Sequence, residues 1–146
     1  MIDLPLTVFT DGTAVTELRF GTWEQAPSPL ADAAAMQLRE YAEGRRTEFD
    51  LLLAPKGTAF QLAVWEALRC IPYGETRSYG DIAAAIGKPK AARAVGMACN
   101  RNPLPILIPC HRVVGKNGKL TGYAGGMELK QQLLDLERTY YERTSE

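Results

Sequence analysis

Ser78-Tyr-Gly-Asp81-Ile-Ala-Ala-Ala-Ile86-Gly87-Lys-Pro89-Lys90-Ala-Ala-Arg93-Ala-Val-Gly96-Met-Ala-Cys-Asn100 reads as two short helices separated by a break. Ser78 can cap the first, Tyr79 to Ile86, with Asp81 three residues on completing a capping box. Gly87 ends that helix, and Pro89 opens the next, which runs from Lys90 to about Asn100. Two short helices across a glycine-containing turn predict a helix-turn-helix over about residues 78–100. The second helix is small-sided: Ala91, Ala92, Ala94 and Gly96 keep its girth low, with Arg93 as the one large projection. Such a helix can press into a nucleic-acid groove or pack closely on a neighbouring helix, and opposite faces can do both.

Downstream lies Pro103-Leu-Pro-Ile-Leu-Ile108, too apolar and too proline-punctuated for a surface loop, followed by Pro109-Cys110-His111-Arg112-Val113-Val114. A thiol held by a rigid buried segment beside a potential base suggests a nucleophile. Residues at i and i+1 do not face each other on a strand or helix, so the imidazole reaches the sulfur only through a bend or a water. The alternative is a buried structural cysteine beside a partly exposed histidine. Gly115 to Lys119 reads as a hairpin tip, and Thr121-Gly-Tyr-Ala-Gly-Gly126 as a loop that needs close backbone approach. Met127 to Arg138 is a final helix with Leu129, Leu133 and Leu136 on one stripe. Glu137 then falls near its end, where the helix dipole disfavours a carboxylate; taken alone it reads as a solvated surface residue.

Upstream, Thr58 can cap a helix carrying Phe60, Val64, Trp65 and Leu68, which Ile71-Pro-Tyr-Gly74 breaks. Thr7 to Thr10 and Thr13 to Phe20 read as two strands around Asp11-Gly12. Leu30 to Glu43 is helical, with Leu30, Ala34, Met36, Leu38 and Tyr41 on its apolar face and Gly44 as the stop. Phe49 to Leu53 reads as another short strand. Ala54-Pro-Lys-Gly57 is the expected boundary, giving an α+β protein of two pieces, 1–54 and 55–146. The first piece carries no recognisable chemistry.

At 146 residues and 46% hydrophobic, the chain can build a real core. No apolar run approaches the ~20 residues of a membrane span, and the N-terminus lacks the pattern of a signal peptide. Cys70, Cys99 and Cys110 cannot all pair and form no C-x-x-C, which points to free thiols in a reducing compartment, the cytoplasm. One histidine and scattered cysteines make poor metal-ligand spacing. The zero net charge hides an asymmetry. Arg69 to Lys119 holds nine Lys/Arg against two acids, whereas residues 1–54 hold four Arg against nine acids. A basic half beside an acidic one suits a polyanion-binding face with modest, salt-sensitive affinity.

The blocks Gly57-Thr-Ala-Phe-Gln61, Ile71-Pro-Tyr-Gly-Glu-Thr76, Ser78-Tyr79, Ala91-Ala-Arg-Ala-Val-Gly96, Asn102-Pro103, Ile108-Pro-Cys-His-Arg-Val113 and Gly122-Tyr-Ala-Gly-Gly126 strongly resemble the O6-alkylguanine-DNA alkyltransferases (methylated-DNA–protein-cysteine methyltransferases). They stand in family order from about residue 57 to 137. The first 55 residues resemble the family's N-terminal domain loosely and look shortened. The resemblance implies a reduced, ribonuclease H-like N-terminal domain followed by a mainly helical, winged helix-turn-helix-like catalytic domain.

The resemblance also implies roles. Cys110 is the alkyl acceptor, His111 the base acting through a bridging water, and Glu137 the group that orients the imidazole. Asn102 is the hinge that ties the helix pair to the active-site segment. Tyr79 assists nucleotide rotation and bonds the flipped base, while Arg93 takes the base's place in the stack on a helix whose Ala91 and Ala92 lie against DNA. The carbonyls of Cys110 and Val113 read the guanine amino group. The Tyr123-Ala124 loop covers the base, Ala124 standing where serine is common, and Arg112 belongs with the DNA-contacting residues. The expected activity is single-turnover, irreversible transfer of a methyl or larger alkyl group from O6 of guanine, or O4 of thymine, in double-stranded DNA to Cys110. It needs no metal or cofactor and implies a monomer. The alternatives are a non-catalytic alkylated-DNA-binding relative that recruits repair factors, a class that lacks the cysteine, and a cysteine hydrolase built on Cys110 and His111.

Overall fold

The computed structural model describes residues 4–24, 28–119, 121–123 and 125–144. Strand β1 (Leu6–Thr10) pairs antiparallel with β2 (Val15–Phe20), with a register irregularity at Phe9/Thr10. The Asp11 carboxylate accepts the backbone N–H groups of Thr13 and Ala14 and so shapes the turn. Helix α1 (Pro29–Ala42) is capped by Ser28 and buries Ala34, Leu38 and Tyr41 against this hairpin. Met36, expected on that face, is instead exposed. It sits two residues from both Ala34 and Leu38, about 200° around the helix from each.

Phe49–Leu53 is not a strand. Only Leu53 forms a bridge, to Val15, flanked by bonds from Val15 N–H to Leu52 C=O and from Ala54 N–H to Val15 C=O. The ladder does not extend toward Phe49, because the next backbone groups on that side, the Asp50 N–H and C=O, are both taken by the Gln37 side chain of α1.

Helix α2 (Ala59–Arg69) begins at a capping box in which Thr58 and Gln61 bond reciprocally. Its Trp65 indole N–H donates to Ala98 C=O at 2.9 Å, which pins α2 to the end of α4. A two-residue strand β3 (Arg77–Ser78) leads into α3 (Tyr79–Ala85), where the Ser78–Asp81 capping box forms as expected. Gly87, at φ 77°, ends the helix.

Helix α4 (Ala92–Asn100) starts two residues later than the sequence suggests. Ala91 N–H bonds back to Lys88 C=O, so Pro89 and Lys90 belong to the turn. Val95 and Ala98 face the core while Arg93 and Ala94 face outward. Arg93 is not the lone projection, because Met97, one turn on, is 60% exposed.

The apolar run from Pro103 is buried as expected, and Ile106 adopts φ 75°, a strained backbone for a β-branched residue. A 3₁₀ turn at Cys110–Arg112 leads to β4 (Val113–Val114), which pairs parallel with β3. The expected hairpin tip is a tight loop instead. Gly115 N–H bonds to Lys119 C=O, and Asn117 supplies a left-handed residue at φ 64°.

Helix α5 (Met127–Thr144) runs six residues beyond the expected end. No glycine or proline follows Arg138, so no local stop signal interrupts it. One buried cluster joins the hairpin, α1, α2, α3, α4, the Leu104–Cys110 segment and Leu133 of α5. No described helix is long and apolar enough to cross a membrane.

Candidate active site

The site grows from the 3₁₀ turn. That bend puts Cys110, His111 and Arg112 on different faces of one short loop, all inside the molecule. His111 is 0% exposed, Cys110 6% and Arg112 7%. Across from them, α5 presents Glu137. The longer helix places this residue in its interior, so the expected clash with the C-terminal dipole does not arise. Its carboxylate is 1% exposed and densely bonded. His111 Nε2–H donates to Oε2 at 2.7 Å; Arg112 donates from Nε to Oε1 at 2.8 Å and from Nη2 to Oε2 at 3.0 Å. Gly74 N–H reaches Oε1 at 3.1 Å, and the Tyr41 hydroxyl reaches Oε2 at 2.6 Å.

Burial alone would raise the pKa of this carboxyl. The hydrogen bonds and charges of His111 and Arg112 outweigh it and bring it down to about 2. Glu137 is therefore ionised and can only accept, so the proton it shares with His111 belongs to the imidazole. Burial lowers the His111 pKa, against the pull of Glu137, and keeps the ring neutral at pH 7. With its one hydrogen on Nε2, the ring has a lone pair on Nδ1, which is buried and has no hydrogen-bond partner among the described residues. A neutral imidazole of fixed tautomer with an unspent basic nitrogen, in the residue next to a cysteine, is the arrangement of a general base.

The Cys110 thiol is raised by burial, partly offset by a hydrogen bond from the Asn102 side chain and by the Lys130 charge. At rest it is a thiol, not the standing thiolate of an exposed redox cysteine, and its proton must be removed at the moment of reaction. Asn102 also holds the segment's shape, donating from Nδ2 to Ile108 C=O at 2.9 Å and accepting from Leu104 N–H at 2.9 Å.

The remaining expected residues distribute as follows. The Tyr79 ring lies against Gly96 of α4, and its hydroxyl bonds Thr121 Oγ1. Arg93 is exposed, and Ala91 and Ala92 are half-buried beside it. Tyr123 is partly buried, its hydroxyl buried and unbonded among the described residues; Ala124 lies outside those residues. The Cys110 carbonyl already accepts Val113 N–H, and the Val113 carbonyl accepts Lys130 Nζ at 2.7 Å, which leaves each oxygen one lone pair.

Arg112 departs from its expected place among DNA contacts. Its guanidinium turns inward to Glu137 and, at 2.7 Å, to Ile71 C=O, with the Tyr73 ring beneath it. Burying an arginine demands an ionised partner, and Glu137 is that partner. Two cavities of about 420 and 430 Å³ flank this cluster, one reaching Glu137 and the other Pro109 and Arg112; Cys110 lines neither.

Two site residues escape the sequence reading. Tyr41 belongs to the first piece, and nothing local marks its hydroxyl. Lys130 is 1% exposed and bonds both Val113 C=O and Thr121 C=O. Its signal was readable: Lys130, Leu133 and Glu137 share one stripe of α5 at i, i+3 and i+7. Charges on a core-facing stripe need buried partners. Among the described residues no group of His, Cys, Asp or Glu could hold a metal ion.

A mixed α+β fold that sets a helix pair beside a buried cysteine, itself backed by an imidazole, a carboxylate and a guanidinium, defines a protein with an activatable thiol nucleophile. Residues 59–139 match the family described as 6-O-methylguanine DNA methyltransferase, DNA binding domain. The methylated-DNA–protein-cysteine methyltransferase of Mycobacterium tuberculosis is 52% identical over 143 residues, covering 92% of this chain and 87% of the relative. That of Methanosarcina acetivorans is 62% identical over 104 residues, 71% of this chain and 67% of the relative. The crystal structure of Mycobacterium tuberculosis OGT in complex with DNA superposes with TM-score 0.86 at 50% identity, covering 95% of this chain and 91% of that one. The chain belongs to the methylated-DNA–protein-cysteine methyltransferase family.

Proposed function

We propose that this protein repairs DNA by moving a methyl or larger alkyl group from O6 of guanine onto Cys110, once per molecule. The observation that carries the reading is the free Nδ1 of His111, held as a base by the Nε2–H bond to Glu137. In the reaction Nδ1 takes the thiol proton through a bridging water. The sulfur attacks the alkyl carbon in line, the C–S bond forms, and the C–O6 bond breaks with its electron pair leaving on guanine. The thioether product has no route to hydrolysis, so the protein is consumed.

The target carbon is inside the duplex, so the nucleotide must turn out of the stack, at roughly a few kcal/mol. The exposed Arg93, in the first turn of α4 beside the small Ala91 and Ala92, is suited to fill the gap. Tyr79, whose hydroxyl is already a hydrogen-bonding group, is suited to meet the flipped base and the charge that develops on it. The remaining lone pairs of the Cys110 and Val113 carbonyls would read its amino group, with Asn102 as the hinge and the Tyr123-Ala124 loop as the cover.

The same reading makes residues 1–54 a shortened ribonuclease H-like domain. Residues 55–146 become a winged helix-turn-helix catalytic domain, in which the β3–β4 pair and the loop after it stand as the wing. It implies a cytoplasmic monomer. Incubation with an oligonucleotide bearing O6-methylguanine, followed by intact mass measurement, should add the mass of one CH₂ to the wild type and nothing to Cys110→Ala. Binding without a mass change would instead favour a damage-recognition protein, and product in excess over protein a hydrolase.

A further inference from the structure

Tyr41 is 0% exposed, and its ring is wedged against Phe49 (centroids 5.6 Å apart) and edge-on to Tyr73 (6.1 Å). Packing on both sides fixes where the hydroxyl points. It donates to Glu137 Oε2 at 2.6 Å and lies 3.4 Å from His111 Nε2. Burial first, and then the adjacent carboxylate, push the phenol well above its ordinary range, so it remains a donor at any working pH. Having given its hydrogen to Glu137, the phenol oxygen turns a lone pair toward Nε2. The Nε2–H of His111 thus meets two oxygen acceptors. The opposite tautomer would set the Nε2 lone pair against both of them, with no donor between.

We propose that Tyr41, carried by α1 from the first piece of the chain, is a positioning residue for thiol activation: its hydroxyl orients the Glu137 carboxylate so that His111 keeps its proton on Nε2 and its base on Nδ1. The acidic first piece, which has no chemistry of its own in sequence, thereby completes the catalytic cluster. The inference rests on the reading of Cys110 as acceptor and His111 as base.

The chain has one histidine, so ¹⁵N-histidine labelling gives a single imidazole whose two nitrogens report the tautomer directly. The wild type should show Nε2–H. Tyr41→Phe keeps the ring contacts and removes one oxygen. It should populate both tautomers and slow methyl transfer roughly tenfold, a fraction of the 10²–10⁴ that a positioned base supplies. It should also move the acid limb of the rate profile to lower pH, because a carboxylate no longer aimed at Nε2, with the phenol acceptor gone, holds the imidazolium less strongly. Phe49→Leu loosens the same packing but keeps the hydroxyl. It should lower Tm and leave tautomer and pH profile as in the wild type.

An Nδ1–H imidazole in the wild type overturns the inference. So does a Tyr41→Phe protein with wild-type tautomer, limb and rate, or a Phe49→Leu protein that reproduces the tyrosine effect. The spectrum needs no DNA, so a wild type that shows Nε2–H yet transfers no methyl group overturns the proposed function and not the geometry.

Discussion

Three donors converge on a single oxygen, Glu137 Oε2: the His111 imidazole, the Tyr41 hydroxyl and an Arg112 guanidinium nitrogen. Each is buried, so none can turn to water if that oxygen changes. Glu137→Gln keeps the shape but removes the charge that makes the arginine tolerable. An unpartnered buried guanidinium costs roughly 3–5 kcal/mol, and denaturant unfolding should register a loss of that order together with a fall in transfer rate. The pH dependence has a definite sign. Glu137 lies at about 2 in the fold against an ordinary value of 4.5, and His111 is also lowered. Both therefore stabilise the fold above their ordinary values and lose that contribution as the pH falls. Wild-type stability should decline by a few kcal/mol between about pH 5 and pH 2, and Glu137→Gln should flatten the carboxylate part of that decline.

The elements divide between holding this cluster and presenting an outer face. Helix α4 does both: its Val95 and Ala98 pack inward while Arg93 and Met97 project. Arg93→Ala should slow repair of duplex DNA by about tenfold or more, in keeping with a few kcal/mol of unstacking, and should leave transfer from the free modified base nearly unchanged. Equal losses on both substrates would remove the stack-filling role. The anchor beneath α4 is equally specific. A Cβ on Gly57 would lie 2.6 Å from the Trp65 ring, and that ring holds Ala98 C=O. Gly57→Ala should lower stability by about 1–3 kcal/mol through overpacking, measured as a shift in urea midpoint.

Local chemistry made much of this legible. The Ser78–Asp81 box, the Gly87 stop and the buried proline-rich run all formed where side-chain hydrogen bonding and backbone freedom put them. What failed was decided at a distance. Phe49–Leu53 has strand composition, but the Gln37 side chain, 13 residues upstream, takes the Asp50 backbone groups that a longer ladder would need. The end of α5 carried no stop residue to read, and Glu137 looked like a surface acid because its partners lie 25 and 26 residues away.

At the scale of the molecule, the two pieces meet through chemistry as well as packing. Leu18 N–H of β2 bonds Pro103 C=O at the head of the active-site segment, and Tyr41 reaches Glu137 across 96 residues of chain. The charge asymmetry has the opposite consequence, concentrating Lys and Arg in the helix-pair half. DNA affinity should therefore fall steeply with added salt, as fluorescence anisotropy between 50 and 200 mM salt can measure; a flat response would deny the basic half its role.

The decisive measurement is a titration at a large excess of O6-methylguanine DNA, scored by demethylated base released and by peptide mass mapping of the spent protein. One base per chain, with the methyl group on the peptide containing Cys110 and none on Cys70 or Cys99, is the result expected. Continued release beyond one equivalent, or a methyl group on another residue, would contradict it.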